Sequence, residues 1–286
     1  MININVMADS FVQMAGIASL SLDEREMADY VRERLVGLSC EDVQEDDAGT
    51  AIGGNAGNLY ARISSGKCNA APLAFAVHLD TVAPGRGVRS IVERGIVRSD
   101  GSTVLGADCK SGVAMLLELI RVIREKGLKP KMDLEFVFTV AEEIGMQGAR
   151  NFDYGILKAK RCFVLDSSQR DGFCNQAPGS HKLSCRIVGR SAHAGVDPEN
   201  GINAIKVLGA ILSEMPTGRI DDDSTMNIGT VKGGSALNVV PDEAYAGLEI
   251  RSFSEKRLGE LLAEVEAIVK RVTKRFREES RGRLAA

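Results

Sequence analysis

Pro72-Leu-Ala-Phe-Ala-Val77, running into His78-Leu79-Asp80, is the stretch that decides the fold. Its first six residues carry no polar side chain, the pattern of a short strand buried on both faces, and the run ends on an imidazole and a carboxylate. Two later segments repeat the arrangement. Leu134 to Val140 stops just before Glu142-Glu143, and Cys162 to Leu165 stops at Asp166. Between the first strand and Leu134, Gly112 to Glu125 has helical spacing and is closed by Gly127. Strands alternating with helices predict an α/β sheet containing parallel strands. In open sheets of this kind ligands bind beyond the carboxyl ends of the strands, so three segments aim ligand-type side chains at one rim.

The spacing within each segment adds chemistry. Residues i and i+2 of an extended segment share a face, so Asp80 can lie beside His78 and fix its ring. Consecutive residues diverge, so Glu143 can meet a metal while Glu142 faces a substrate as a base. A further carboxylate, Asp108 in Gly106-Ala107-Asp108, precedes a helix and could bridge two ions. One imidazole with several carboxylates suits zinc, with cobalt or manganese as alternatives, and not a thiolate site. Each group alone has an ordinary explanation. A histidine can simply be hydrogen-bonded at a strand end, Gly-x-Asp can cap a helix, paired glutamates can be a solvated face, and an aspartate can form a turn. All four would have to hold together, and Glu142-Glu143 follows a mostly apolar run where solvated charge is not expected.

Outward from this core, Ser21-Leu22-Asp23-Glu24 has the form of a capping box, opening a helix with Met27, Val31 and Leu35 on one face. A Gly-rich stretch, Gly49 to Gly57, leads to a strand at Leu59 to Ile63, and Ile91 to Arg98 forms a hairpin around Glu93-Arg94-Gly95. After about Asn175 the pattern changes to a strand (Lys182 to Val188), a helix (Gly201 to Ser213), two strands (Thr225 to Val231 and Glu243 to Arg251) and a long charged helix (Glu255 to Arg277). That order is a ferredoxin-like unit lacking its last strand. Asp221-Asp222-Asp223 is expected to be a solvated turn.

Five motifs then stand out: Val77-His-Leu-Asp-Thr-Val82; Gly106-Ala-Asp-Cys-Lys-Ser-Gly112; Ala141-Glu-Glu-Ile-Gly145; Ser191-Ala-His-Ala-Gly195 with Pro198 and Gly201-Ile-Asn-Ala204; and Asn238-Val-Val-Pro241. In combination, over about Ser21 to Arg251, they resemble the aminoacylase/carboxypeptidase/peptidase T family, and within it the peptidase T-like tripeptidases. The resemblance implies an α/β zinc-peptidase catalytic domain over residues 1–175, incomplete at its C-terminal part. Residues 176–286 would be a ferredoxin-like α+β lid that forms a homodimer. It implies two Zn2+ ions, one on His78, Asp108 and Asp166, the other on Asp108, Glu143 and a histidine from later in the chain. Glu142 would be the general base, Asp80 would orient His78, and a cis peptide would follow Asp108. His193 resembles a lid histidine that reaches the partner subunit's site and donates to the oxyanion. Asn238 and Arg251 resemble substrate-binding residues. The implied reaction is hydrolysis of an amide bond in a short peptide by a metal-activated water. An N-acyl amino acid amidohydrolase of the same family would share every metal motif, and an inactive form would act only as a binding or dimerising module. Cys109 departs from the pattern, where relatives more often carry a polar residue. The family's closing segment, with the last lid strand and final histidine, is not matched, and the chain has 3 histidines. On that ligand count at most about one zinc per chain is expected to bind tightly, tripeptide hydrolysis is expected to be negligible, and the chain is expected to self-associate.

Bulk properties agree. With 286 residues, 44% hydrophobic and 26% charged, the chain has the composition of a globular protein with a well-buried core. A net charge of −3 without a basic block argues against nucleic acid as a partner. The longest apolar helical run, Val113 to Ile123, carries Glu118 and Arg121, so a membrane span is not expected. No basic-then-apolar leader opens the sequence. Its 6 cysteines include no C-x-x-C pair and read as free thiols, so the cytoplasm is the expected compartment.

Overall fold

The computed structural model describes residues 2–66, 70–167 and 172–284. Cys68 lies outside the described residues; Cys40, Cys109, Cys162, Cys174 and Cys185 are free thiols. The chain separates into two compact units, Met1–Asp171 and Gly172–Ala286, breaking a few residues ahead of the expected boundary.

The first unit begins with α1 (Ile4–Gly16), capped by the Asn3 side chain, and α2 (Arg25–Gly37), which buries Met27, Ala28, Val31 and Leu35. Then follow β1 (Glu41–Glu45), α3 (Ala48–Ile52), β2 (Leu59–Ile63) and β3 (Leu73–His78). The hairpin of β4 (Ser90–Glu93) and β5 (Ile96–Ser99) turns on Arg94 and Gly95, with φ of 51° and 76°, as a two-residue turn that follows strand twist demands. The unit continues with α4 (Ala107–Glu125), β6 (Leu134–Thr139), α5 (Gln147–Arg150) and β7 (Cys162–Val164).

The main sheet runs β1-β2-β6-β3-β7. Strands β6, β3 and β7 are parallel, while β1 and β2 join antiparallel. The apolar run of β3 is therefore hydrogen-bonded on both edges. Helices α1, α2 and α4 supply Met14, Met27, Leu35, Leu116 and Ile120 to a core shared with Leu59, Phe136 and Phe138. Register positions the site: His78 stands opposite Thr139, so β3 and β6 end level, and Ala76 stands opposite Val164, so Asp166 follows at the same rim. Neither α1 nor β1 was expected. Glu41-Asp-Val-Gln-Glu45 has almost no apolar content and becomes a strand only because β2 offers it an edge.

The second unit comprises β8 (Gly179–Val188), α6 (Ala204–Glu214), β9 (Gly218–Asp221), β10 (Ser224–Gly233), β11 (Glu243–Ser252) and α7 (Glu255–Leu284). Its antiparallel sheet runs β8-β11-β10-β9. The three long strands take the order expected of the ferredoxin-like plan, and the short β9 is an addition that pairs with β10. Leu258, Leu261, Val265, Ile268 and Val272 of α7 recur at alternating spacings of three and four and pack with Val207, Leu208 and Ile211 of α6 over Met226, Leu248 and Ile250. The expected turn at Asp222-Asp223 is present, and Asp221 before it pairs with Arg257 Nε at 2.9 Å. Among the described residues no helix is long and apolar enough to cross a membrane.

Candidate metal centre

His78 closes β3 with its side chain 2% exposed. Its Nδ1 lies 2.9 Å from the backbone oxygen of Asp80 and 3.3 Å from Asp80 Oδ1. Two acceptors at Nδ1 make it the N–H of the ring, so Nε2 presents its lone pair. Around Nε2 stand Asp108 Oδ1 at 3.1 Å, Asp166 Oδ1 at 3.8 Å and Glu142 Oε2 at 4.0 Å. Electron-rich atoms facing one another this closely require a positive charge among them. A proton on Nε2 is one such charge. Burial alone would depress the His78 pKa, but the hydrogen bond and charge of Asp80, then Asp166 and Asp108, raise it to about 9. A divalent cation is the other. Ligand atoms of His78, Asp108, Cys109 and Asp166 all lie within 4.8 Å of one another, a mainly nitrogen and oxygen donor set that fits such an ion.

The start of α4 delivers Asp108. Gly106 has a φ of 73°, the Asp108-Cys109 peptide is cis as expected, and Asp108 leaves helical geometry (φ −84°, ψ 106°), so its carboxylate stands 71% exposed at the rim. The Cys109 thiol turns inward and donates to Leu165 O at 2.9 Å; burial pushes its pKa up to about 12. That bond ties α4 to the residue before Asp166. At Gly112 a Cβ would fall 2.8 Å from both Leu165 O and Val77 Cγ1, so only hydrogen fits where α4 crosses β3. Asp166 is raised to about 6 by burial and by its hydrogen bond with Asp108.

Asp80 is the hub behind the ligands, and it is fully buried. Oδ1 accepts from Glu142 N–H (2.9 Å) and faces His78 Nδ1; Oδ2 accepts from the Ser21 hydroxyl (2.7 Å) and Glu143 N–H (3.1 Å). Burial would raise this carboxyl, but the bonds from His78, Ser21, Glu142 and Glu143 hold it below its ordinary range. Glu143 is not among the four clustered ligands; burial, then the charges of Asp108, Glu142 and Asp80, raise its carboxyl against the opposing pull of His78.

The capping box expected at Ser21 to Glu24 does not form. The Glu24 side chain makes no cap bond to α2; its Oε1 accepts from Leu22 N–H (3.0 Å) and Ala141 N–H (2.9 Å), and Arg25 N–H donates to Asn55 Oδ1 instead. Ser21 turns to Asp80. The physical reason is burial: Ala141 N–H and the Asp80 carboxylate sit in the interior and have more to lose unpaired than a helix end open to water. Asn58 also escaped the sequence reading. Its Oδ1 accepts from Val140 N–H (3.1 Å) and its Nδ2 donates to Gly148 O (3.0 Å), holding the chain on both sides of the Glu142-Glu143 turn. An asparagine at the end of a Gly-rich stretch gives no local signal of this.

In the second unit His193 is exposed, bridged antiparallel to Val239 just before a turn. Its Nδ1 accepts from Gly195 N–H (3.2 Å), which leaves Nε2 as the ring donor. Ala194 N–H donates to Asn238 O (2.9 Å), so His193 and Asn238 are neighbours. Arg251 lies towards the other end of β11, about 26 Å along the strand from Glu243, and its fork is engaged by Glu249 at 2.9 and 3.1 Å. His181 is exposed on β8 opposite Ile250.

Comparison with known proteins decides the family. A peptidase dimerisation domain matches residues 175–277, and peptidase family M28 matches residues 58–168. The aminopeptidase PepT of Bacillus cereus ATCC 10987 has a TM-score of 0.87 at 35% identity, over 96% of this chain and 74% of that one. A tripeptidase of Staphylococcus aureus subsp. aureus mu50 has a TM-score of 0.89 at 31% identity, with the same 96% and 74% coverage. The chain belongs to the peptidase T-like metallopeptidases. The uncharacterized protein YqjE of Bacillus subtilis (strain 168) is 38% identical over 259 residues, 90% of this chain and 69% of the relative. The chain spans 43% of the Escherichia coli peptidase T that it matches at 27% identity. Membership makes it a metal-dependent peptide hydrolase, with a catalytic unit followed by a peptidase dimerisation unit.

Proposed function

We propose that the chain hydrolyses amide bonds in short peptides, as an aminopeptidase or tripeptidase, with zinc held by His78, Asp108 and Asp166. The observation that carries this reading is the buried His78, anchored at Nδ1 so that Nε2 faces the carboxylates of Asp108, Asp166 and Glu142. Asp108, exposed at the rim, would share a second zinc with Glu143. Cobalt and manganese are the alternative ions for such donors. Zinc at this place lowers the pKa of water and polarises a carbonyl. Glu142 takes the proton of the attacking water and passes it to the leaving amine. Asp80 holds His78 and the backbone of Glu142 and Glu143 in place throughout. The unit Gly172–Ala286 forms a homodimer, through which the His193 Nε2–H of the opposite subunit donates to the oxyanion. Asn238 binds the peptide, and Arg251, exchanging Glu249 for the substrate, takes its carboxylate. The free thiols favour a reducing compartment, the cytoplasm.

Metal analysis of the purified protein, paired with a panel of tripeptides and N-acyl amino acids, tests the reading. Zinc-dependent tripeptide turnover, lost with a chelator and in His78→Ala, is the expected result. A preference for N-acyl amino acids would reassign the chain to the amidohydrolase branch. Absence of both metal and turnover would leave a binding or dimerising module.

A further inference from the structure

The segment ahead of α2 is built in a way that a helix start does not require. Leu22 sits at φ 74°, a conformation rarely adopted by a bulky residue. Glu24 is 1% exposed, and its Oε2 is buried without a hydrogen-bond partner among the described residues. Both features oppose folding, and both are of the kind that collects at functional sites. The segment is also pinned from two sides. Lys110, itself 1% exposed and two residues beyond Asp108, donates from Nζ to Ile17 O at 2.7 Å, and Thr81 N–H donates to Ser19 O at 2.8 Å. So held, the segment sends two side chains inward: the Ser21 hydroxyl to Asp80 Oδ2, and Glu24 Oε1 to the N–H of Ala141, which itself has a φ of 50°.

We propose that Ser21 and Glu24 are positioning residues that clamp the metal centre from behind, Ser21 through the Asp80 carboxylate onto His78, and Glu24 through Ala141 onto the Glu142-Glu143 turn. This rests on the reading of His78 as a metal ligand and Glu142 as the base. The Ser21 hydroxyl and Glu143 N–H hold Oδ2 while Glu142 N–H and His78 Nδ1 share Oδ1, so the plane of the carboxylate is set by donors on both sides. Removing the hydroxyl leaves Oδ2 with only the Glu143 N–H, so the carboxylate is held less tightly in its plane. The imidazole keeps the Asp80 backbone oxygen at Nδ1 but loses part of the constraint that the carboxylate places on the direction of Nε2. Neither residue touches the reacting atoms, so both act on metal affinity and turnover rather than on substrate binding.

The test compares Ser21→Ala with Ser21→Thr. Zinc affinity is read by chelator competition, kcat and KM with a tripeptide, and ligand geometry from the visible absorption of the cobalt-loaded protein. Ser21→Ala should bind zinc about tenfold more weakly, the low end for groups that orient metal ligands, and lose kcat with little change in KM. It should also alter the cobalt bands, whereas Ser21→Thr, which keeps the hydroxyl, should restore all three. Zinc affinity and kcat unchanged in Ser21→Ala would overturn the proposal, as would a Ser21→Thr protein as impaired as the alanine variant, since packing would then explain the loss. His78→Ala runs alongside: if it binds zinc like the parent protein, the metal-site reading itself fails, and the clamp with it. Should Ser21→Ala not fold, Glu24→Gln and Glu24→Met address the other arm. Gln retains an acceptor for Ala141 N–H and keeps kcat, while Met loses it and drops kcat about tenfold; equal kcat in the two overturns the clamp.

Discussion

Replacing Asp80 by asparagine isolates what a negative hub contributes behind this site. The carboxylate oxygens each face two donors: Glu142 N–H and His78 Nδ1 at Oδ1, Glu143 N–H and the Ser21 hydroxyl at Oδ2. An amide must turn its NH2 to one of these pairs. The less costly choice is Oδ2, where Ser21 can rotate and accept, yet Glu143 N–H is left facing a donor. One buried backbone donor without a partner costs about 1–3 kcal/mol, and the surviving bonds lose the roughly 1 kcal/mol that separates charged from neutral acceptors. The expected loss of unfolding free energy is therefore about 2–4 kcal/mol at pH 7, measured by urea titration of chelator-treated protein. The His78 tautomer should survive, because the Asp80 backbone oxygen, at 2.9 Å, still accepts from Nδ1. Zinc affinity should nonetheless fall 10- to 100-fold with the loss of the charge behind the ring. The pH dependence has a definite sign. Asp80 is depressed below its ordinary 3.8, so its stabilisation is complete above that value and is lost as pH falls through the folded-state pKa. The deficit of the Asn variant should accordingly shrink in acid. A deficit below about 0.5 kcal/mol, the scale of ordinary surface changes, together with unaltered zinc binding would refute the hub.

Four other outcomes are expected. Glu142→Gln should lose at least ~100-fold in turnover and keep its metal, while Glu143→Gln should lose metal; equal metal loss in both would mean the roles are misassigned. Burial raises Glu24 from 4.5 to about 7, so folding favours its neutral form. Stability should then fall on the order of 3 kcal/mol as pH rises through that window, a slope that Glu24→Gln flattens in denaturant titrations unless the carboxyl is solvated. If His193 acts across a dimer, mixing His193→Ala with Glu142→Gln subunits should restore part of the activity, and proven heterodimers without activity would place His193 in its own subunit's site or outside catalysis. Gly112→Ala places a methyl against Leu165 O and Val77, and a lowered melting temperature equivalent to about 1–3 kcal/mol is expected.

The parts of the fold that were legible in the sequence are those where a segment's own composition dictates its surroundings. Leu73 to Val77 reads as a buried strand because it carries no polar side chain, and it lies between two parallel partners. The stripe Met27, Val31, Leu35 specifies one face of α2 in the same way. β1 and β9 were illegible for the converse reason. Glu41-Asp-Val-Gln-Glu45 and Gly218-Arg-Ile-Asp221 have little apolar content, and each is a strand only because a neighbour far stronger in pattern, β2 or β10, presents an open edge.

The same division runs through the site. His78, Asp108, Glu142 and Asp166 could be named because strand ends and a Gly-x-Asp turn place them at one rim whatever the rest of the chain does. Ser21 and Glu24 could be noticed but not understood, because a capping box and an inward clamp share one local spacing. What separates them is competition for acceptors between groups far apart in sequence. Arg25 N–H finds Asn55 Oδ1 30 residues away, which relieves the helix start of its need for a cap. Ala141 N–H, 117 residues from Glu24, sits at a left-handed residue and is buried. Left unpaired, an exposed N–H is satisfied by water, whereas a buried one costs about 1–3 kcal/mol. The carboxylate therefore goes where desolvation makes its absence most costly, and the helix accepts the weaker substitute. A local pattern at a site like this states which hydrogen bonds a residue can make; burial elsewhere in the chain decides which of them it does make.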